Sequence, residues 1–327
     1  MNAKNILILF LLTPVALVAQ KQYKVETTDI RRFWNAYDHL AKARTTADSV
    51  DILEQEYIEA ASPDFIKFLK ARDFTAEEYV HLISVVPGFW NSVRPLTEQI
   101  ANRTEDIDQM FDSLSQVLPG FKKPDVCFAI GCLRTGGTTS KDLILVGAEI
   151  AAANATVDKR GLNAWLQSVL GKSGDIVSMV AHEAVHTRQR GFPMDEFFSL
   201  LSHRKLKLLN MSITEGSADF VTSRFLGRNI NADIHAYGVA HKDDLWREFQ
   251  EDMRTSPYDY SPWLYNGNQS QGRPADLGYY IGCMIAQGFY DRASNKEKAL
   301  KTLMRRGKYK KVFHQSGYSV VADRMEK

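Results

Sequence analysis

Apolar side chains recur at helical spacing along most of the chain. Between residues 20 and 120 these patterns are separated by short connectors that contain Pro and Gly, such as Pro87-Gly88 and Pro119-Gly120. Apolar residues three and four positions apart cover one face of a helix, and Pro-Gly pairs end helices. The region from 20 to 120 is therefore predicted to be all helix with short connectors.

The pattern changes after residue 120. The segments DVCFAIGCL, from Asp125, and LILVGAEIA, from Leu143, are short and almost continuously apolar, and a Gly-rich stretch separates them. Such runs are typical of buried strands, and the turn residues between them predict a hairpin. Helical spacing returns afterwards. The predicted fold class is α+β and predominantly helical, with a helical N-terminal region at 20–120 and a second region at 121–327.

A histidine pair lies on one of the later helices. The sequence HEAVH places His182, Glu183 and His186 together, and Ser173 or Asp175 could cap the helix. Two histidines four positions apart project from the same helix face, so one Zn²⁺ ion can bind both. Glu183 leaves the helix at another angle and can reach a metal-bound water without ligating the metal. The alternative is an ordinary helix with two histidines that bind no metal.

Two carboxylates follow on a further predicted helix, in the segment MSITEGSADFVTSRF. Glu215 comes 29 positions after His186, and Asp219 comes one turn after Glu215. Glu215 is the predicted third ligand of one Zn²⁺ ion, and Asp219 can accept the N–H of a ligating histidine. Alone, such a pair is usually a solvated helix face. If Glu215 is not the ligand, the candidates are His203, His235 and His241.

Together, HEAVH and EGSAD resemble the gluzincin metallopeptidases, in which a downstream Glu completes an HExxH site. The resemblance covers roughly residues 124–225, and the rest of the chain is similar to secreted zinc-dependent proteases of Bacteroidota type. It implies a zincin-like catalytic core, with zinc on His182, His186 and Glu215 and with Glu183 as the general base. The metzincin pattern HExxHxxGxxH does not fit, because Gln189 and Phe192 stand where its Gly and His belong.

The same resemblance implies further site residues. Gluzincins hold substrate on an edge strand before the HExxH helix, and the stretch Leu143 to Ile150 is the candidate here. Tyr279 or Tyr280 would hydrogen-bond the oxyanion, with Arg273 as an anion-holding alternative. Glu149 partly matches the amine-binding Glu of gluzincin aminopeptidases, although a solvated Glu at the cleft edge is the alternative.

Composition and the N-terminus restrict the cellular context. The chain has 327 residues, 41 Lys plus Arg against 39 Asp plus Glu, and three cysteines. This balance gives no reason to expect nucleic acid as a partner. Residues 1–19 read as a signal peptide, with no Cys near the cleavage point to suggest a lipid anchor. We expect an exported periplasmic or extracellular protein with no later membrane span and with Cys127, Cys132 and Cys283 unpaired.

The leading hypothesis from the sequence is a secreted zinc peptidase, a hydrolase acting on a peptide or protein substrate. The alternative belongs to another class of protein, a non-proteolytic envelope or assembly protein that retains a zincin-like fold. The sequence does not determine the substrate preference or the oligomeric state.

Overall fold

Helices fill the chain from residue 28 to residue 117, as the hydrophobic pattern predicts. The computed structural model describes residues 23–170, 175–189, 206–267 and 272–319. The first six helices are α1 (Thr28–His39), α2 (Thr46–Leu53), α3 (Pro63–Arg72), α4 (Ala76–Val85), α5 (Pro87–Glu98) and α6 (Thr104–Val117). Their apolar faces meet at Phe33, whose ring lies 5.2 Å from that of Tyr57 and 5.5 Å from that of Trp90. Such buried ring pairs add specific geometry to the area they remove from water.

A four-stranded mixed sheet lies beside these helices. Its strands are β1 (Val25–Glu26), β2 (Asp125–Ala129), β3 (Gly137–Ser140) and β4 (Leu143–Gly147), in the order β1-β2-β4-β3. β2 runs parallel to both β1 and β4, and only the β3–β4 pair is antiparallel. The first strand thus ties the start of the described chain to a strand about a hundred residues later.

Two predictions about the strands are wrong. The hairpin joins β3 to β4, whereas the two apolar runs pair in parallel as β2 and β4. The predicted edge strand, Leu143 to Ile150, is an interior strand followed by a short helix, α7 (Ala148–Ala151). Continuous apolar sequence marks a strand covered on both faces, which belongs inside a sheet. The polar segment GTTS forms the edge, where backbone and side chains meet solvent.

The remaining described helices carry the candidate site. They are α8 (Ala164–Val169), α9 (Ile176–His186), α10 (Lys207–Leu226), α11 (Ala232–Ala240), α12 (Lys242–Thr255), α13 (Leu277–Arg292), α14 (Lys296–Leu303) and α15 (Tyr309–Gln315). α10 and α13 touch backbone to backbone, since a Cβ on Gly282 would lie 1.7 Å from the carbonyl oxygen of Ser212. This close packing of α13 fixes the position of α10, the helix that carries Glu215.

The coarse fold prediction is confirmed. The protein is mostly helical with a small mixed sheet, and all three cysteines are free. Among the described residues, no helix is long and apolar enough to cross a membrane. The predicted signal peptide, Ser173 and His203 lie outside the described residues.

Candidate metal centre

The first two candidate ligands come from α9. Asp175 begins this helix by accepting backbone N–H groups of Val177 and Ser178 at 3.1 and 3.4 Å. Helical geometry then brings His182 and His186 onto one face, with their Nε2 atoms 3.0 Å apart. The apolar side of α9 is buried, which fixes the direction of both imidazoles.

The third candidate ligand is Glu215 on α10. Its Oε2 lies 3.1 Å from Nε2 of His186 and 3.5 Å from Nε2 of His182. Four-coordinate zinc with ligands at about 2.0–2.1 Å separates them by about 3.3 Å. The three separations of 3.0, 3.1 and 3.5 Å match that value. In the described part of the chain, these residues are the one group of three such side chains whose ligand atoms converge.

The other nitrogen of each imidazole is held by a neighbouring side chain. Gln189 donates its amide to the carbonyl of Thr214, so its oxygen faces Nδ1 of His186 at 2.7 Å. Nδ1 of His182 lies 3.1 Å from Oδ1 of Asp219. These contacts place Nδ1 of each ring against an oxygen and leave both Nε2 atoms facing Glu215. Two imidazole nitrogens that converge with a carboxylate suit a metal cation.

Three contacts around the ligands were missed from the sequence. Asp219 is fully buried and accepts two bonds from Nδ2 of Asn231 at 2.8 and 3.0 Å. Nε2 of His235 lies 3.4 Å from the same carboxylate. Tyr265 donates its hydroxyl to Oε1 of Glu215 at 2.7 Å, from a loop 50 residues away. A loop contact over that separation leaves no periodic signal in the sequence. Gln189, in contrast, lies three positions after His186, and this spacing is a local signal for a contact.

The charges of the cluster reinforce one another. Burial disfavours a charge on His182, but Asp219 and Glu215 outweigh it and raise its pKa to about 10. Burial likewise opposes charge on His186 and Glu215, yet their attraction raises the pKa of His186 and holds that of Glu215 well below its usual range. Burial raises the pKa of Glu183. The same negative field that retains protons here also favours a metal cation.

A cleft of about 880 Å³ opens above the cluster. Glu183 and Tyr279 line it, and the ring of Tyr279 stacks on that of His182 at 6.0 Å. Gly137 on the edge strand also lines it, and a Cβ there would lie 2.7 Å from Oε1 of Glu183. Only glycine leaves room for this carboxylate beside the strand.

The other predicted site residues lie away from the cleft lining. Tyr280 is buried against His235, with ring centroids 5.9 Å apart. Arg273 donates to Glu248 at 2.7 Å. His241 is exposed on the far end of α11. The structure therefore brings together His182, Glu183, His186, Glu215, Asp219 and Tyr279, and it separates Tyr280 and Arg273 from them.

Glu149 has a different role from the one predicted. It is fully buried at the start of α7 and accepts backbone N–H groups of Gly131 and Leu133 at 2.8 and 3.1 Å. Burial raises its pKa to about 7, although these bonds favour the charged form. Glu149 thus holds the loop between β2 and β3 and does not line the cleft.

Fold and site together define a mostly helical protein with a small sheet and a cleft above a cluster of two histidines and a glutamate. The family model of gliding motility protein GldB, a lipoprotein family, matches residues 18–320. The chain belongs to this family. Comparisons with curated proteins and with solved structures gave no match.

This membership corrects the sequence-based identification. The chain belongs to a gliding motility family and not to the gluzincin peptidases, so the family resemblance was wrong. The predicted activity, a secreted zinc peptidase of the hydrolase class, is wrong on the same finding. The match favours the alternative, a non-proteolytic envelope protein, and it agrees with export toward the envelope. The motif describes an arrangement of side chains that a fold can keep without the reaction.

Proposed function

We propose that this protein is a non-proteolytic component of the gliding motility machinery in the cell envelope. Its cleft is a binding site for another protein of that machinery, and one Zn²⁺ ion on His182, His186 and Glu215 holds the floor of the cleft in place. The observation that carries the proposal is the family match, which spans residues 18–320 and so includes the whole cleft. Export places the protein on the outer side of the cytoplasmic membrane.

The geometry supports a structural and binding role for the metal. Zinc joins α9 to α10 through ligands from both helices, and a bound ion adds its binding free energy to the folded state. The proposal includes a zincin-like arrangement of this helix pair, which the motif predicts. Three protein ligands would leave one position of a four-coordinate zinc for a further donor. A donor atom from a partner protein in the cleft could supply it.

The first test is metal content and motility in the same set of variants. We expect one zinc ion per chain in the native protein and in Glu183→Gln, since Glu183 is not a ligand. His186→Ala should lose the ion. When each form replaces the native protein in its own bacterium, Glu183→Gln should support gliding and His186→Ala should not.

The second test is proteolysis. A mixed peptide library should show no zinc-dependent cleavage that differs between the native protein and Glu183→Gln. Cleavage by the native protein alone would overturn the non-proteolytic assignment. Native protein free of zinc after dialysis against trace zinc would overturn the metal centre but leave the motility role standing.

A further inference from the structure

Arg72 is an arginine of the cleft lining whose bonding capacity is largely unused. It is the last residue of α3, and it is partly buried. Its Nη2 donates to the hydroxyl of Thr135 at 3.3 Å. In the part of the chain that the structure describes, the buried Nε finds no acceptor, and the guanidinium forms no ion pair within 4.0 Å, although its charge acts on Glu183 from a greater distance. A guanidinium has five N–H donors in a fixed fork, which matches the geometry of a carboxylate.

Two neighbouring arginines show the contrast. Arg134 donates to Glu78 and to the backbone oxygen of Asp73, and Arg228 pairs with Asp175 and Ser178. Both line the same cleft with their charge already compensated. Arg306 also lines the cleft, but it is exposed to solvent, which satisfies its donors. Arg72 is the partly shielded guanidinium of this set.

The surroundings of Arg72 are rigid before any ligand arrives. Its partner Thr135 is buried and donates to the carbonyl of Gly137 at 2.7 Å. The loop that carries Thr135 is held at its start by Tyr57 and Tyr79, whose hydroxyls donate to the carbonyl of Ile130 at 2.6 and 2.7 Å. Glu149 fixes the middle of the same loop. A preorganised donor loses little freedom on binding, so its contacts go further toward affinity.

We propose that Arg72 is an anion anchor that binds a carboxylate of a partner polypeptide in the cleft. The carboxylate lies against the fork of Arg72, at the edge-strand end of the cleft that Thr135 and Gly137 form. Charge complementarity selects an acidic segment over a neutral one, which makes Arg72 a specificity residue for the partner. This inference deepens the proposed function, because it rests on the cleft being the binding site for a protein of the machinery.

The test measures peptide binding by fluorescence anisotropy with zinc-loaded protein. The probes are short Gly-Ser peptides labelled with an uncharged dye. They are of three kinds: Asp-containing with an amidated C-terminus, free of charged side chains with a free C-terminal carboxylate, and free of charged side chains with an amidated C-terminus. We expect the fully neutral peptide to bind weakest. Whichever of the other two binds more tightly identifies the carboxylate as a side chain or as a chain end.

Variants assign the effect to Arg72. Arg72→Gln should weaken the better carboxylate peptide about tenfold or more, and Arg72→Lys should recover part of the loss because it keeps the charge but not the fork. Arg254→Gln is the control, because Arg254 is an exposed arginine of α12 outside the cleft lining, and it should change binding by less than about threefold. Zinc content measured on the same samples should be equal in all forms.

The outcomes separate this inference from the proposed function. Three results would overturn the anchor while the motility role and the zinc centre stand. They are equal binding of all three peptides, no binding of either carboxylate peptide at millimolar concentration, and equal loss in Arg72→Gln and Arg254→Gln. If the native protein takes up no zinc but still binds the carboxylate peptide through Arg72, the metal centre is overturned and the anchor stands.

Discussion

Replacing Asp219 tests whether this residue orients His182 and whether the outer contacts of the cluster hold a metal. The carboxylate is fully buried, and its Oδ1 lies 3.1 Å from Nδ1 of His182. Asp219→Asn keeps the size of the side chain but removes its charge and one acceptor. Asn231, which donates twice to this carboxylate, then faces an amide in place of one oxygen. The ring of His182 should lose both its fixed direction and the negative charge that makes it a stronger ligand.

Two independent magnitudes agree on the size of the effect. A hydrogen bond to a charged group contributes about 1.5–3 kcal/mol, which corresponds to roughly 10- to 150-fold in a binding constant. Outer contacts of metal ligands typically change metal affinity by about 10- to 100-fold. We therefore expect Asp219→Asn to weaken zinc binding by about 10- to 100-fold at neutral pH.

The assay is a competition titration of zinc against a fluorescent chelator, with circular dichroism as a check on folding. Asp244→Asn is the control, because Asp244 is an exposed aspartate of α12 that pairs only with Arg247 in the described chain. It should leave zinc affinity unchanged. If folded Asp219→Asn binds zinc as tightly as the native protein, Asp219 is not a determinant of the metal centre and the reasoning about His182 fails.

Three further predictions concern single side chains. Glu215→Gln should bind zinc far more weakly at pH 7, and unchanged affinity in the variant would point to another third ligand. The zinc affinity of the native protein should decrease as the pH is lowered, because protonated His182, with a pKa of about 10, cannot bind the metal. Tyr265→Phe removes the 2.7 Å bond to Glu215 and should weaken zinc binding by roughly tenfold or less in the same titration, and a larger loss would indicate direct contact with the metal. Glu149 has a folded pKa of about 7 against an ordinary 4.5, so the folded state holds the extra proton, and the free energy of unfolding should fall by at most about 3 kcal/mol as pH rises through that interval. Urea denaturation of metal-free Glu149→Gln should lack this slope, and its persistence would assign the slope to another group.

Hydrophobic periodicity predicted the helices well because each buries one continuous face. Ile30 on α1 is buried together with Phe33 and Trp34, three and four positions later, as helical spacing requires. Pairing between strands depends on partners far apart in the chain, which periodicity does not encode. The apolar runs of β2 and β4 were read as neighbours in a hairpin, but β4 pairs with β2 in parallel and with the polar strand β3 in antiparallel.

The site residues likewise fall into those that local spacing predicts and those that only tertiary packing brings together. His182 and His186 lie one helical turn apart, so their convergence followed from local geometry alone. Glu215 and Asp219 were found because they repeat that spacing on a second helix. Arg72, Asn231 and Tyr265 reach the cleft or its carboxylates through tertiary packing, and no local pattern marks them. Tyr280 follows Tyr279 directly, yet it points to His235 and Gly238 because adjacent residues on a helix face different directions.

Short motifs specify geometry more strongly than they specify a reaction. HEAVH and the later EGSAD place three ligand atoms at 3.0–3.5 Å, which is the spacing a zinc ion requires whatever it then does. Hydrolysis needs in addition a substrate held for attack and a stabilised transition state, which these five residues alone do not supply. The family match covers the cleft as well as the motif, so it includes the surface that we propose as the partner-binding site. The proposed metal between α9 and α10 and the proposed anion anchor at Arg72 both suit a binding role, and the peptide and motility experiments separate that role from catalysis.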